Sequence, residues 1–168
     1  LDPNGEESTN MIMKVAEVLI LCAAKDGLAE NEKNWILGFF TCCNYNDKII
    51  NFINDYQPPE PSSPDLDAKL SKLTKEVDEF YGNRATSIKR NIIFLAFLAA
   101  DADGVISDEE YDKIKEIALA WDIKAGEVKT IQKLVNRQFN LQISRTEAVF
   151  PEVADKIPAR RPSNHTDS

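Results

Sequence analysis

The stretch LAADADGVISDEE at residues 98–110 has a second version, LCAAKDGLAENEK, at residues 21–33. In both, an apolar segment ends at an Asp-Gly pair, and acidic residues open the segment that follows. An Asp-Gly pair at the end of a helical pattern stops the helix, and acids in a first turn favour a new one. The sequence therefore predicts two helix-bend-helix units. We call residues 24–32 the first bend and residues 101–110 the second bend.

The apolar positions flanking the two bends coincide at a constant offset of 77 residues. Val15 then aligns with Ile92, Val18 with Leu95, Leu21 with Leu98, Leu37 with Ile114 and Phe40 with Ile117. Matched apolar positions at helical spacing are typical of an internal repeat. We interpret the chain as a duplication of a three-helix unit.

Helical periodicity extends along most of the chain, and no segment alternates polar and apolar residues long enough to predict a strand. The pattern predicts helices over 8–25, 30–43, 46–56, 65–81, 84–101, 107–121 and 124–142. The helix over 65–81 lies outside the repeat. The expected fold class is all-α, a seven-helix bundle built from a duplicated three-helix unit.

Proline content marks the link between the two halves. Residues 57–64 hold four prolines, which exclude a continuous helix there. We expect a flexible N-terminus over 1–9, one helical domain over 10–144 and a polar tail over 145–168. Prolines among polar residues place that tail on the surface or leave it disordered.

Composition limits the possible partners. The 168 residues carry a formal net charge of −8, so the surface repels phosphate backbones and nucleic acid is not expected as a partner. The longest apolar runs are about half of the roughly 20 residues that a membrane span needs, so no transmembrane segment is expected.

Two residue types limit the chemistry. The three cysteines, Cys22, Cys42 and Cys43, form no CxxC pair, which favours a reducing cytoplasm over a secreted disulfide framework. His165 is the only histidine and lies in the predicted tail, so no Ser-His or Cys-His catalytic arrangement is expected. We expect a protein that is not an enzyme.

Carboxylates collect at both bends, and two interpretations remain open. Ser107 and Glu110 have the spacing of a capping box, which explains the acids after the glycine without a metal. Asp101 and Asp103 instead lie at a helix C-terminus, where the helix dipole disfavours negative charge, so a cation would stabilise them. In the first bend, Lys25 is expected to neutralise the acids, together with Lys33.

An EF-hand is a further alternative for the second bend. With Gly104 at the sixth loop position, Asp101, Asp103 and Glu110 take the third, fifth and twelfth positions, as calcium binding requires. Ala99 takes the first position, which normally supplies an aspartate. The loop would be a degenerate EF-hand.

The repeated small-small-x-Asp-Gly motif followed by acids resembles the TerB-like family of tellurite-resistance proteins, over about residues 10–142. The resemblance implies an all-helical fold from a duplicated helical unit, no catalysis, and acidic residues that bind metal. Carried over by position, the metal ligands would be Asp26, Glu30, Glu32, Asp101, Asp103, Glu109 and Glu110. It also implies a role in tellurite-type stress response through protein partners, membrane proteins among them.

We therefore expect a non-enzymatic, cytoplasmic binding or adaptor module. Its acidic bends would hold a divalent cation, with Ca²⁺ preferred, and its partner would be a protein that can bring it to the membrane periphery. One alternative is a metal-free protein interaction module, and another is the degenerate EF-hand. A third is a protein that responds to oxyanions through Cys22, Cys42 or Cys43.

Overall fold

Seven α-helices form most of the residues that the computed structural model describes, which are 5–43, 47–61, 63–103 and 106–161, with the backbone alone at 103. The helices are α1 (Glu6–Ala23), α2 (Glu30–Cys42), α3 (Asp47–Asp55), α4 (Pro64–Tyr81), α5 (Ala85–Ala100), α6 (Asp108–Ala120) and α7 (Ala125–Val149). Short 3-10 turns lie at Ala24–Asp26, Gly82–Arg84, Asp101–Asp103 and Pro151–Lys156. Because these ranges contain no strand, the predicted all-α fold class is confirmed.

The chain forms two units, Leu1–Ile123 and Lys124–Ser168. In the first unit, α1 packs against α5, and α2, α3, α4 and α6 surround this pair. Residues 18–24 of the first repeat are all buried, as are most residues from 92 to 100 of the second. A helix segment buried on every side lies at the centre of a core. Within the described ranges, no helix combines the length and the apolar character needed to cross a membrane.

The two copies keep the predicted offset up to the bends and lose it afterwards. Helices α1 and α5 end 77 residues apart, at Ala23 and Ala100, whereas α2 and α6 begin 78 residues apart, at Glu30 and Asp108. At the offset of 78, Glu32 pairs with Glu110, Ile36 with Ile114 and Phe40 with Ala118. The apolar members of these pairs are all buried.

The predicted alignment of Leu37 with Ile114 and of Phe40 with Ile117 is therefore wrong by one residue. Three residues separate the 3-10 turn from the next helix in the first bend, and four in the second. Ser107 consequently corresponds to Ala29, whereas the predicted offset of 77 would align it with Glu30.

Helix α4, the insert between the copies, is attached by both apolar and charged side chains. Its buried face consists of Leu66, Leu70, Leu73 and Val77. Ion pairs join it to α1, α5 and the first bend: Lys14 to Glu76 at 2.9 Å, Lys69 to Glu17 at 3.0 Å, Lys25 to Asp67 at 3.1 Å and Lys89 to Asp78 at 2.6 Å. The insert thus packs as an integral helix of the first unit.

The helix of the second unit, α7, is longer than predicted: it continues to Val149 instead of ending near Gln142. Beyond α7 the chain turns back along the helix. The side chain of Asn140 donates to the Arg161 carbonyl at 2.7 Å and accepts from the Arg161 N–H at 2.8 Å. The Arg161 guanidinium lies 3.7 Å from the centre of the Phe139 ring. Within the predicted tail, residues 145–149 thus extend α7, and the described residues that follow fold back against this helix.

Candidate site at the two acidic bends

The two bends lie close together because each of them contacts a helix of the other copy. The 3-10 turn of the first bend contacts α6, which belongs to the second copy, and the turn of the second bend contacts α2, which belongs to the first. Helices α1 and α5 pack side by side, and the bends that follow their C-terminal ends lie next to each other. The sequence predicts each bend, but only this packing makes them neighbours.

Two glutamates at equivalent positions begin α2 and α6. Glu32 Oε2 accepts from the Ala29 N–H at 2.9 Å, and Glu110 Oε2 accepts from the Ser107 N–H at 2.7 Å. In the second bend Ser107 Oγ also accepts from the Glu110 N–H at 3.1 Å, which completes the predicted capping box. Ala29 has no side-chain acceptor, so the first bend forms half of the same motif.

A small cavity lies between the bends. Asp26, Glu32, Glu110 and Lys113 line it, together with alanines from both central helices. Its volume of about 10 Å³ is close to the minimum that holds one water molecule. Glu32 is 5% exposed, so one of the three carboxylates is almost fully buried.

The electrostatic field at this cavity is dominated by negative charge. Burial is the main factor that raises the pKa of the Asp26 carboxyl, and Glu110 and Glu109 from the other copy raise it further. A hydrogen bond from the Asp26 backbone and the charge of Lys113 oppose the increase. Ionised Asp26 therefore costs free energy in the folded protein, mainly through its partial burial, and the glutamates of the opposite bend add to this cost.

We expect Asp26→Asn to stabilise the metal-free protein as pH rises. A carboxyl whose folded-state pKa is raised holds its proton longer in the folded state, so its ionisation weakens folding above the unfolded pKa of about 3.9. Urea unfolding between about pH 4 and pH 7 measures the effect. At the acidic end of this range, the free energies of unfolding of the variant and of the unaltered protein should differ little. At neutral pH the variant should gain about 0.5 kcal/mol or less, since Asp26 is only partly shielded and water screens its charge. A constant difference at all pH values would contradict this explanation.

The two lysines of the first bend also have partners outside the bend. Lys25 pairs with Asp67 on α4 at 3.1 Å and with Glu116 on α6 at 3.6 Å. Lys33 donates to the Asn54 carbonyl at 2.8 Å. Lysine side chains are long enough to reach helices that are distant in sequence, so proximity along the chain did not identify their partners. Lys113, which the sequence analysis did not select, lines the cavity and its charge lowers the pKa of Asp26.

The remaining predicted ligands are placed differently. Glu30 and Glu109 are exposed at the helix starts, and Asp101 is partly exposed with its Oδ1 shielded from solvent. The side chain of Asp103 lies outside the described residues. Within the described ranges, no three His, Cys, Asp or Glu side chains lie close enough together to hold a metal ion. The first position of the proposed EF-hand, Ala99, is fully buried in the core.

The cysteines differ sharply in environment. Burial raises the pKa of the Cys22 thiol to about 12, so this group stays protonated and unreactive at neutral pH. Cys42 and Cys43 are exposed at the end of α2, and all three cysteines are free. Cys22 therefore acts as a core residue, which removes it from the proposed oxyanion chemistry.

Comparison with known proteins supports the fold. No protein-family model and no curated protein matches the chain. The structure is similar to the crystal structure of a tellurite resistance protein from Nostoc punctiforme, with a TM-score of 0.68 and 24% sequence identity. The match covers 86% of this chain and 81% of that one. The predicted resemblance is thus confirmed at the level of architecture, and the chain has the TerB-like fold.

Proposed function

We propose that this protein is a non-enzymatic binding or adaptor module of tellurite-resistance type, which recognises a protein partner through its acidic bends. One observation carries the proposal: carboxylates from both copies line a single cavity, with Glu30 and Glu109 exposed at the two helix starts. A surface assembled from both halves of a duplication depends on their mutual packing. The fold match to a tellurite resistance protein supports a role in that type of stress response.

The cellular location belongs to the same proposal. Three free cysteines support a reducing compartment such as the cytoplasm. The partner can hold the module at the membrane periphery.

A photo-crosslinking experiment tests the adaptor function. The photoreactive residue p-benzoylphenylalanine replaces Glu109 in the second bend or, as a control, the exposed Glu79 of α4. Irradiation of living cells should give a discrete adduct from position 109 and none from position 79. Equal adducts from both positions, or none from position 109, would contradict recognition through the bends.

Cation binding is a second candidate function, favoured by the excess of negative charge around the cavity. Asp26, Glu32 and Glu110 are the described side chains that would face the ion, and a divalent ion would offset their charges. As they stand, they do not form a ready set of ligands. Two of them already use one oxygen each to cap a helix.

Thermal unfolding of the metal-stripped protein, with millimolar calcium or magnesium, tests the second candidate. Binding to the native state alone would stabilise it by about 2.7 kcal/mol at a hundredfold excess over Kd. Glu110→Gln keeps an acceptor for the Ser107 N–H but removes the charge, so it should abolish the calcium-dependent increase in Tm. The matched control is Glu127→Gln, because Glu127 caps α7 in the same way at 2.9 Å from the Lys124 N–H. An increase no larger than that in magnesium would rule out a specific calcium site.

A further inference from the structure

The C-terminal end of α2 carries two adjacent free cysteines that neither candidate function uses. Cys42 is the last residue of the helix, and Cys43 follows as its cap, with its N–H donating to the Phe39 carbonyl at 3.1 Å. Both cysteines are exposed, and neither is in a disulfide. These two thiols are therefore open to small molecules in solution, unlike the thiol of the buried Cys22.

Two aromatic rings lie on the same side of α2 as these thiols. Phe39 precedes Cys42 by three residues and Cys43 by four, and residues at these spacings are neighbours on a helix surface. The Phe39 ring stacks on the ring of Trp35, with the centroids 5.6 Å apart and an angle of 11° between the planes. Both rings are partly exposed. We call Trp35, Phe39, Cys42 and Cys43 the thiol face of α2.

The thiol face is separate from the other cavities of the first unit. Neither the cavity between the acidic bends nor the charged cleft of about 400 Å³ between α4 and α6 includes any of its residues. Helix α2 begins at Glu30 in the first bend, and Cys42 lies twelve residues further on, about 18 Å along the helix axis. Chemistry at these thiols is thus independent of the acidic bends.

A disulfide between the two thiols is disfavoured by their adjacency in the chain. The Cα atoms of consecutive residues are about 3.8 Å apart across a trans peptide. A disulfide usually joins Cα atoms that are roughly 4.4–6.8 Å apart. A larger atom placed between the two sulfurs lengthens the link and relieves this mismatch. The pair is therefore suited to bridging by one atom that binds sulfur strongly.

The number and type of donors indicate which atom this is. Thiolates select soft centres over hard cations such as Ca²⁺. A structural zinc site needs four ligands, whereas within the described ranges no three His, Cys, Asp or Glu side chains are grouped to hold a metal ion. A linear two-coordinate ion would need the sulfurs on opposite sides of it. Trivalent arsenic is pyramidal, so two of its three bonds can go to neighbouring thiolates.

We infer that the thiol face binds trivalent arsenic as a chelate of two thiolates. Arsenous acid, As(OH)₃, exchanges two hydroxyl groups for the sulfurs of Cys42 and Cys43. Two As–O and two S–H bonds break, two As–S bonds form, and each hydroxyl leaves with a thiol proton as water. Arsenic stays trivalent, so the step needs no oxidant or reductant. The rings of Trp35 and Phe39 favour an arsenical whose third substituent is aromatic, because such a group can stack on them.

Intact-protein mass spectrometry of the reduced full chain tests the inference, with arsenite and phenylarsine oxide as probes. Each probe should add one arsenic per chain at micromolar concentration and protect both exposed thiols from iodoacetamide. Dimercaptopropanol should remove the arsenic, whereas mercaptoethanol at the same concentration of thiol groups should not, because only the dithiol competes as a chelate.

Single substitutions locate the site. Cys42→Ser and Cys43→Ser should each weaken binding of phenylarsine oxide about a hundredfold or more, because the remaining thiol forms one bond without the gain from chelation. Cys22→Ala is the matched control: it also removes one of the three cysteines, but it leaves the thiol face intact. Equal affinity of the two serine variants and the unaltered protein would overturn the inference.

Three results on the unaltered protein would also overturn it. These are the absence of an adduct with micromolar phenylarsine oxide, equally rapid removal of arsenic by mercaptoethanol and by the dithiol, and a ratio of one arsenic to two chains. None of them relies on a variant that folds. The adaptor and cation proposals would be unaffected, because they involve the carboxylates of the bends.

Discussion

Phe97→Ala is expected to lower the free energy of unfolding by about 3–5 kcal/mol, the usual cost of removing a fully buried phenylalanine. Phe97 is 0% exposed on α5, and its ring lies 5.7 Å from the ring of Tyr111 on α6. The substitution removes this contact and leaves a cavity between the central helix and the helix that contacts the first bend. For a chain of this size, Tm should fall by roughly 6–20 °C.

Calorimetry or circular dichroism measures this effect directly. The matched control is Phe150→Ala, because Phe150 is 51% exposed at the end of α7 and its loss should change stability by about 0.5 kcal/mol or less. If both substitutions had the same small effect, the packing of α5 against α6 would not be a main source of stability.

Leu66→Ala should cost about 2–5 kcal/mol, because Leu66 is fully buried at the start of the inserted helix α4. Its position is determined locally: Ser63 Oγ accepts from the Leu66 N–H at 3.2 Å and caps the helix, with Pro64 in the first turn. The prediction is that apolar burial, more than the row of ion pairs, attaches α4 to the first unit.

Lys14→Gln provides the comparison for that prediction. It removes the ion pair with Glu76, in which the two side chains are 39% and 30% exposed, and such pairs contribute about 0–1 kcal/mol. Urea unfolding of both variants separates the contribution of apolar burial from that of the ion pair. Adding about 1 M salt to the unaltered protein should reproduce only the small loss caused by Lys14→Gln, because salt screens the ion pair and leaves the buried leucine in place. A larger loss from Lys14→Gln than from Leu66→Ala would show that charge holds the insert.

The local features of the chain were predictable because they depend on neighbouring residues. Periodicity identified the helices, and the Ser107 capping box indicated where α6 begins. The repeat offset failed beyond the bends because Ala29 offers no capping side chain to mark the equivalent start of α2. The equivalence of Glu32 and Glu110, each three residues after its cap position, was the signal that could have revealed the offset of 78.

The candidate site was only partly predictable. Asp26, Glu32 and Glu110 were selected from the sequence, and the structure places all three around one cavity. The same reasoning assigned Lys25 to the first bend, although it pairs with α4 and α6. Lys113 was missed, because nothing in its local sequence indicates that it faces a carboxylate from the other copy.

The sequence by itself therefore determined the helices, the duplication and the acidic character of each bend, since these follow from backbone preferences and from apolar spacing within a few turns. The tertiary structure alone decided that the two bends meet and that a charged cleft opens between α4 and α6. It also decided that Lys25 pairs with residues of α4 and α6 and that Lys33 bonds to the Asn54 carbonyl. Those features depend on which helices pack together, and packing joins residues whose separation in the chain carries no local signal.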